Sequence, residues 1–277
     1  MTFVRLAKLG AFLVVAVVAS SAHAQEDAIY DHVMQAKELR VFAPDTPPQS
    51  WRDIAADEWK GFDADIYHYI GQRLNVRVTP VWVSLEGSVP ALTSGRADMG
   101  TALFRTPERE KLIDFTTPYK WINDSVIVWK DNNTIKSMAD LKGKTLGVVR
   151  GTSQEIASNK MRDQGLVGDV RTYDTVNALY ADLKARRIEA IAYGTIYHLW
   201  VESQDPAMQS RIVLQIPPEY FGRSGAVPSQ FPLRKGASKL AGQVNNIITE
   251  MRENGTMAKI FAKYGITDPS VWTPPAK

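Results

Sequence analysis

Arg109 stands in the run Arg105-Thr106-Pro107-Glu108-Arg109-Glu110. A guanidinium is a planar fork of donors that meets a carboxylate through two parallel hydrogen bonds. The same Arg could instead pair with Glu108, Glu110 or Asp114 of its own neighbourhood. A second candidate is Gly151-Thr152-Ser153, between the strand pattern Thr145 to Val149 and a helical one. N–H groups at the start of a helix have no partner within it, and the macrodipole favours an anion there. Thr152 or Ser153 could cap that helix with its own side chain and still leave other N–H groups available. Both stretches suit the holding of a small anion.

Other chemistries find little support. The chain has no Cys, which excludes disulfides, thiolate zinc sites, iron–sulfur clusters and cysteine nucleophiles. His32, His68 and His198 stand alone, without the spacing of a metal site. Gly143-Lys144-Thr145 imitates the tail of a phosphate-binding loop, but Met138 occupies the place of the required first Gly and a strand follows. No G-x-S-x-G elbow occurs. Among 277 residues, 33 Lys and Arg face 30 Asp and Glu with no run of five like charges, so nucleic acid is not an expected partner. At 44% hydrophobic and 23% charged, the chain has the composition of a folded protein.

The elements that must position these residues alternate. Residues 1–24 read as a cleavable secretory signal: Arg5 and Lys8, an apolar run from Leu9 to Ala19, and Ala22-His23-Ala24 as the cleavage site. A periplasmic protein is therefore expected. Leu39 to Phe42, Val76 to Val83, Ala97 to Ala102, Thr145 to Val149, Val170 to Tyr173 and Ala190 to Tyr193 read as strands. Helices are predicted from an Asp63 cap through Leu74, over Pro90 to Ser94, over Ser153 to Gln164, from Asp174 or Thr175 to Arg186, and along the stripe Leu240, Val244, Ile247, Ile248 and Met251. Such alternation predicts an α/β protein with mainly parallel sheets. The irregular stretches Trp121 to Ser125 and Pro217 to Pro228 are expected to carry the chain between two lobes. Lobe 1 would then hold 25–121 and 222–277, and lobe 2 would hold 122–221, with a ligand cleft between discontinuous lobes.

Longer motifs carry a resemblance. They are Gly61-Phe62-Asp63-Ala64-Asp65, Leu92 to Ala102 with Arg105 to Glu110, Ile113 to Tyr119, and Ile135 to Lys144 with Gly147 to Glu155. In this order and spacing they resemble the family 3 periplasmic solute-binding proteins, the polar amino-acid receptors of ABC importers. The resemblance implies a two-lobed periplasmic binding protein fold and no catalysis, cofactor or metal. It implies an inner-membrane permease as partner and a monomer as the working form. It places the ligand carboxylate between Arg109 and the Gly151-Thr152-Ser153 turn. The implied ligand set is Arg109, Thr101, Ala102, Phe104, Leu85, Val149, Thr152, Ser153, Tyr193 and Gly194. This chain departs from the pattern at three of these. Phe104 replaces a hydroxyl residue, Leu85 replaces a stacking aromatic, and Gly194 stands where the family places an Asp against the ligand ammonium. The expected ligand is thus a small carboxylate without a free primary ammonium. Two alternatives share the resemblance: a cyclohexadienyl-type dehydratase, with Glu155 as its acid, and a receptor module for a membrane sensor.

Overall fold

A computed structural model describes residues 28–222 and 226–275. The expected signal lies outside them. Its first helix, α1, spans 28–36. There follow β1 (Glu38–Ala43), β2 (Trp51–Asp53), β3 (Glu58–Lys60), α2 (Phe62–Leu74), β4 (Arg77–Trp82), α3 (Ser88–Thr93), β5 (Met99–Gly100), α4 (Pro107–Glu110) and β6 (Ile113–Phe115). Next come β7 (Lys120–Ile122), β8 (Asp124–Trp129), β9 (Thr145–Val149), α5 (Ser153–Asp163), β10 (Asp169–Tyr173), α6 (Val176–Lys184), β11 (Ala190–Gly194), α7 (Thr195–Gln204), β12 (Ser210–Gln215) and β13 (Val227–Ser229). The chain ends with β14 (Pro232–Arg234), α8 (Ser238–Glu253) and α9 (Thr256–Lys263).

Contacts divide the chain into two units, each with its own five-stranded sheet. Unit 1 holds residues up to Tyr119 together with Ser229–Met257. Its sheet runs β4-β1-β5-β14-β6. β1 is parallel to β4 and β5, and β14 is antiparallel to β5 and β6. Unit 2 holds Lys120–Pro228 and Ala258–Lys277. Its sheet runs β10-β9-β11-β8-β12, with β9, β10 and β11 parallel and β8 and β12 antiparallel to their neighbours. In unit 2 alternation sends successive side chains to opposite faces. Val126, Val128, Leu146, Val148 and Ala192 pack with Met161 of α5, while Ile127 and Ile191 pack with Leu179 and Leu183 of α6.

Several expectations need adjustment. The stretch Trp121 to Ser125, predicted irregular, contains β7 and the start of β8. β8 reads DSVIVW and is buried over its first five residues, so it occupies the sheet interior. The predicted strand Ala97 to Ala102 contracts to β5, and Ala102 has a left-handed φ of 59°. α2 is capped at Gly61, not Asp63. Residues 258–277, expected in lobe 1, group with unit 2. There Trp272 stacks on Phe261 and Ser270 accepts hydrogen bonds from Asn123 and Gln215.

Candidate functional site

In unit 1 the short helix α4 carries Arg109. Thr106 caps it, accepting the Arg109 N–H at 3.3 Å, and Pro107 fits the first turn because its missing N–H would be unbonded anyway. The neighbouring acids have other partners. Glu110 pairs with Arg105, and Asp114 binds Lys235 Nζ at 2.7 Å and the Gly236 N–H at 2.7 Å. Among the described residues no carboxylate pairs with Arg109. One guanidinium nitrogen donates to the Phe104 carbonyl at 2.7 Å, which fixes the side chain and leaves most of its five donors available. Phe104 and Leu85 are each 49% exposed, so neither ring nor isobutyl group is used by the core of the unit.

Thr101 is placed differently. Its hydroxyl is buried and donates to Asp63, whose carboxylate also accepts Tyr119 Oη at 2.7 Å and Gln49 Nε2 at 2.8 Å. Thr101 therefore supports the scaffold through its side chain. Burial and the Asp63 charge push the Tyr119 and Tyr67 hydroxyls well above their usual range, so both stay protonated donors. Asp98, within the same motif, is fully buried and holds Arg40 through two hydrogen bonds of 3.0 and 2.7 Å.

In unit 2 the Gly151 turn follows β9. Gly151 takes φ 75°, a left-handed value that glycine adopts without a Cβ penalty. Thr152 caps α5, accepting from the Glu155 N–H at 3.3 Å and donating to the Val149 carbonyl at 2.7 Å. Glu155 reaches back to the Gly151 N–H at 2.7 Å and accepts from the Thr172 hydroxyl. Among the described residues the N–H groups of Ser153 and Gln154 meet no acceptor, and Ser153 is exposed. Both readings of the turn hold together: the side chain caps, and two N–H groups remain open to an anion. Arg150 points to Asp174 at 2.9 Å on the surface, and that contact raises its pKa.

Tyr193 and Gly194 end β11 on opposite faces. Tyr193 packs edge-on to Tyr180 and Tyr197, on the α6–α7 side. Gly194 has Asp124 as its cross-strand partner in β8. A Cβ built on Gly194 would meet a single heavy atom within 4 Å, Asp124 Oδ1 at 4.0 Å. Asp124 is 4% exposed and its Oδ1 accepts from Gln154 Nε2, in the first turn of α5. Sequence reasoning missed Asp124. Its signal was the polar pair Asp124-Ser125 opening the apolar run Val126 to Trp129, and only the strand register brings it to Gly194.

Residues 39–267 match the family of bacterial extracellular solute-binding proteins, family 3, and the chain belongs to that family. It is 33% identical over 222 residues to the L-cystine-binding protein TcyJ of Escherichia coli (strain K12), covering 79% of this chain and 78% of that one. The ancestral amino-acid-binding protein AncCDT-1, described as a precursor of cyclohexadienyl dehydratase, is similar with TM-score 0.54 and 26% identity, over 84% of this chain and 97% of its own. The fold also matches the L-cystine solute receptor of Neisseria gonorrhoeae in its unliganded open form, with TM-score 0.75 and 20% identity, over 88% of this chain and 99% of that one. The protein is thus a mixed α/β, two-lobed solute-binding protein.

Proposed function

We propose that the chain is the periplasmic receptor of an ABC importer for a small amino-acid-like carboxylate. Arg109 of unit 1 supplies the guanidinium fork, and the Ser153 and Gln154 N–H groups of unit 2 supply a second set of donors. A ligand that uses both would link capture to lobe closure, as a transport receptor requires. The observation that carries this reading is Arg109: its acidic neighbours Glu110 and Asp114 are bound elsewhere, so its fork remains available. The receptor works as a monomer, delivers to an inner-membrane permease and is exported with a cleaved signal over 1–24.

The test is calorimetry on refolded protein with a panel of free amino acids and organic acids. Arg109→Ala is expected to weaken carboxylate binding by about 3–5 kcal/mol, the cost of leaving a buried charge without its partner. Arg109→Lys binds poorly too, because an ammonium lacks the fork. Equal affinity in wild type and Arg109→Ala refutes the assignment.

The resemblance to AncCDT-1 supports a second reading, a dehydratase. Such an enzyme needs a positioned acid, and the nominated Glu155 accepts the Gly151 N–H and the Thr172 hydroxyl, which suits a capping role. We therefore assign no catalytic residue. Turnover of prephenate or arogenate by the purified chain would reverse this.

A further inference from the structure

Asn254 and Gly255 lie between α8 and α9, and Asn254 is the only Asn in the chain that is followed by Gly. The pair has a chemistry of its own. The Gly nitrogen can attack the carbonyl carbon of the Asn side chain, because a residue without Cβ leaves that nitrogen unhindered. The new C–N bond closes a five-membered imide, and Nδ2 leaves as ammonia with the proton of the Gly N–H. Water then opens the imide at either carbonyl. The product is aspartate, or isoaspartate with the main chain running through Cβ and Cγ. Water is the only co-reactant.

Nothing bulky shields the pair. Asn254 is exposed, and a Cβ built on Gly255 would meet no atom within 4 Å. Hydrogen bonds and backbone angle hold it instead. Asn254 Oδ1 accepts the Thr256 N–H at 2.9 Å, one of the donors at the start of α9 that have no partner within the helix. Its Nδ2 donates to Tyr69 Oη of α2 at 3.2 Å, and Tyr69 donates in turn to Glu250 at 2.7 Å. The Gly255 N–H turns back to the Arg252 carbonyl at 3.4 Å. At ψ 1° the Gly255 nitrogen eclipses the nitrogen of Asn254 itself and points away from the side chain. Ring closure needs it eclipsed with Cβ, a rotation of roughly a third of a turn about the Cα–C bond. That rotation carries Thr256 away from Oδ1. A flat ring also needs the side chain off its staggered rotamer, a turn that the Tyr69 bond opposes.

We propose that Asn254–Gly255 is a site at which the chain modifies itself, deamidating through the imide, and that Tyr69 is the latch that keeps the folded state slow. The reaction follows local opening of the α8–α9 junction, so the native rate is the rate of the open chain multiplied by the open fraction. The product feeds back on the latch. An acid at 254 has no donor for Tyr69 Oη, and it adds a like charge one helical turn from Glu250, which holds Arg73 at 3.0 Å. Isoaspartate also lengthens the main chain ahead of α9. Each conversion thus loosens the tie between α2 and α8.

The experiment incubates the purified protein in mildly alkaline buffer, native and in urea. Peptide mass mapping reads the replacement of the amide by an acid, and isoaspartate methyltransferase labelling reads the lengthened product. In urea the Asn254 peptide should convert before any other Asn peptide. In the native protein it should convert about tenfold more slowly, or slower still. Tyr69→Phe removes the acceptor of Nδ2. It should convert about threefold faster than wild type when native and at the wild-type rate in urea. Asn254→Gln would have to close a six-membered ring and should stay unmodified. Thermal melts confirm that each variant is folded. Equal native and urea rates in wild type overturn the latch, as does a native Tyr69→Phe rate equal to that of wild type. Faster conversion at another Asn in urea, or none at Asn254, overturns the site.

Discussion

His198 lies on α7, fully buried, with its ring stacked on Tyr180 at 6.0 Å. Its Nδ1 is 3.3 Å from the Tyr180 hydroxyl, and among the described residues its Nε2 meets no partner. Burial disfavours the charged form and lowers its pKa from 6.5 to about 4. In the unfolded chain the ring regains its ordinary value. Between those two values the unfolded state binds more protons, so stability rises with pH through this window and is lost as pH falls from about 6.5 towards 4. The fall from 6.5 to about 4 sets a limit of about 3 kcal/mol below pH 4. Integrated to pH 5, the loss is about 2 kcal/mol. The assay is urea unfolding of ligand-free wild type and His198→Phe at pH 7, 6 and 5, followed by circular dichroism. Carboxylates titrate over the same range in both proteins, so the difference between them isolates the ring. His198→Phe should lose about 2 kcal/mol less than wild type between pH 7 and pH 5. Parallel pH curves for the two proteins would show that the ring takes up a proton in place, and the burial argument would fail.

Two further outcomes concern unit 1. Tyr119→Phe keeps the ring stacked on Phe231 at 3.9 Å but removes a donor from the buried Asp63 carboxylate, and chemical unfolding should register a loss of about 2 kcal/mol. Gly100→Ala would set a Cβ 2.0 Å from the Phe42 ring, whose side chain is fully buried. Overpacking of this kind costs about 3 kcal/mol or prevents folding, visible in the melting temperature or in soluble yield.

What could be read from the sequence was local. The turn at Gly151 and the helix after it follow from the residue types of one short stretch, and β9 and α5 lie where those types put them. Arg109 was legible as a candidate, but its availability was not. That depended on Arg105 holding Glu110 and on Lys235, far along the chain, holding Asp114. Thr101 and Asp63 were misread for a related reason. A hydroxyl near a proposed site and an acid before a helix both have short-range explanations, and the hydrogen bond joining them spans 38 positions. Asp124 was invisible because pairing register is a property of two distant strands. The irregular look of Trp121 to Ser125 also hid that β8 begins there. The last residues were assigned by chain order, whereas the hydrogen bonds of Ser270 with Asn123 and Gln215 tie them to unit 2.

β14 lies between β5 and β6 in the sheet of unit 1, although more than a hundred residues separate it from β6 along the chain. Every strand of the unit 2 sheet falls inside that interval. The two sheets therefore differ in the order in which they can be completed. The strands of unit 2 form one uninterrupted stretch of chain, with β8 waiting for β11 and β12 at its far end. Unit 1 keeps a central slot vacant until residues 232–234 arrive, and filling it closes a loop as long as a whole domain, an entropic step that slows assembly. A growing chain meets the conditions for the second sheet before those for the first. The partial unit 1 carries two unpaired inner edges during that time, the part of the molecule then most open to pairing with another chain.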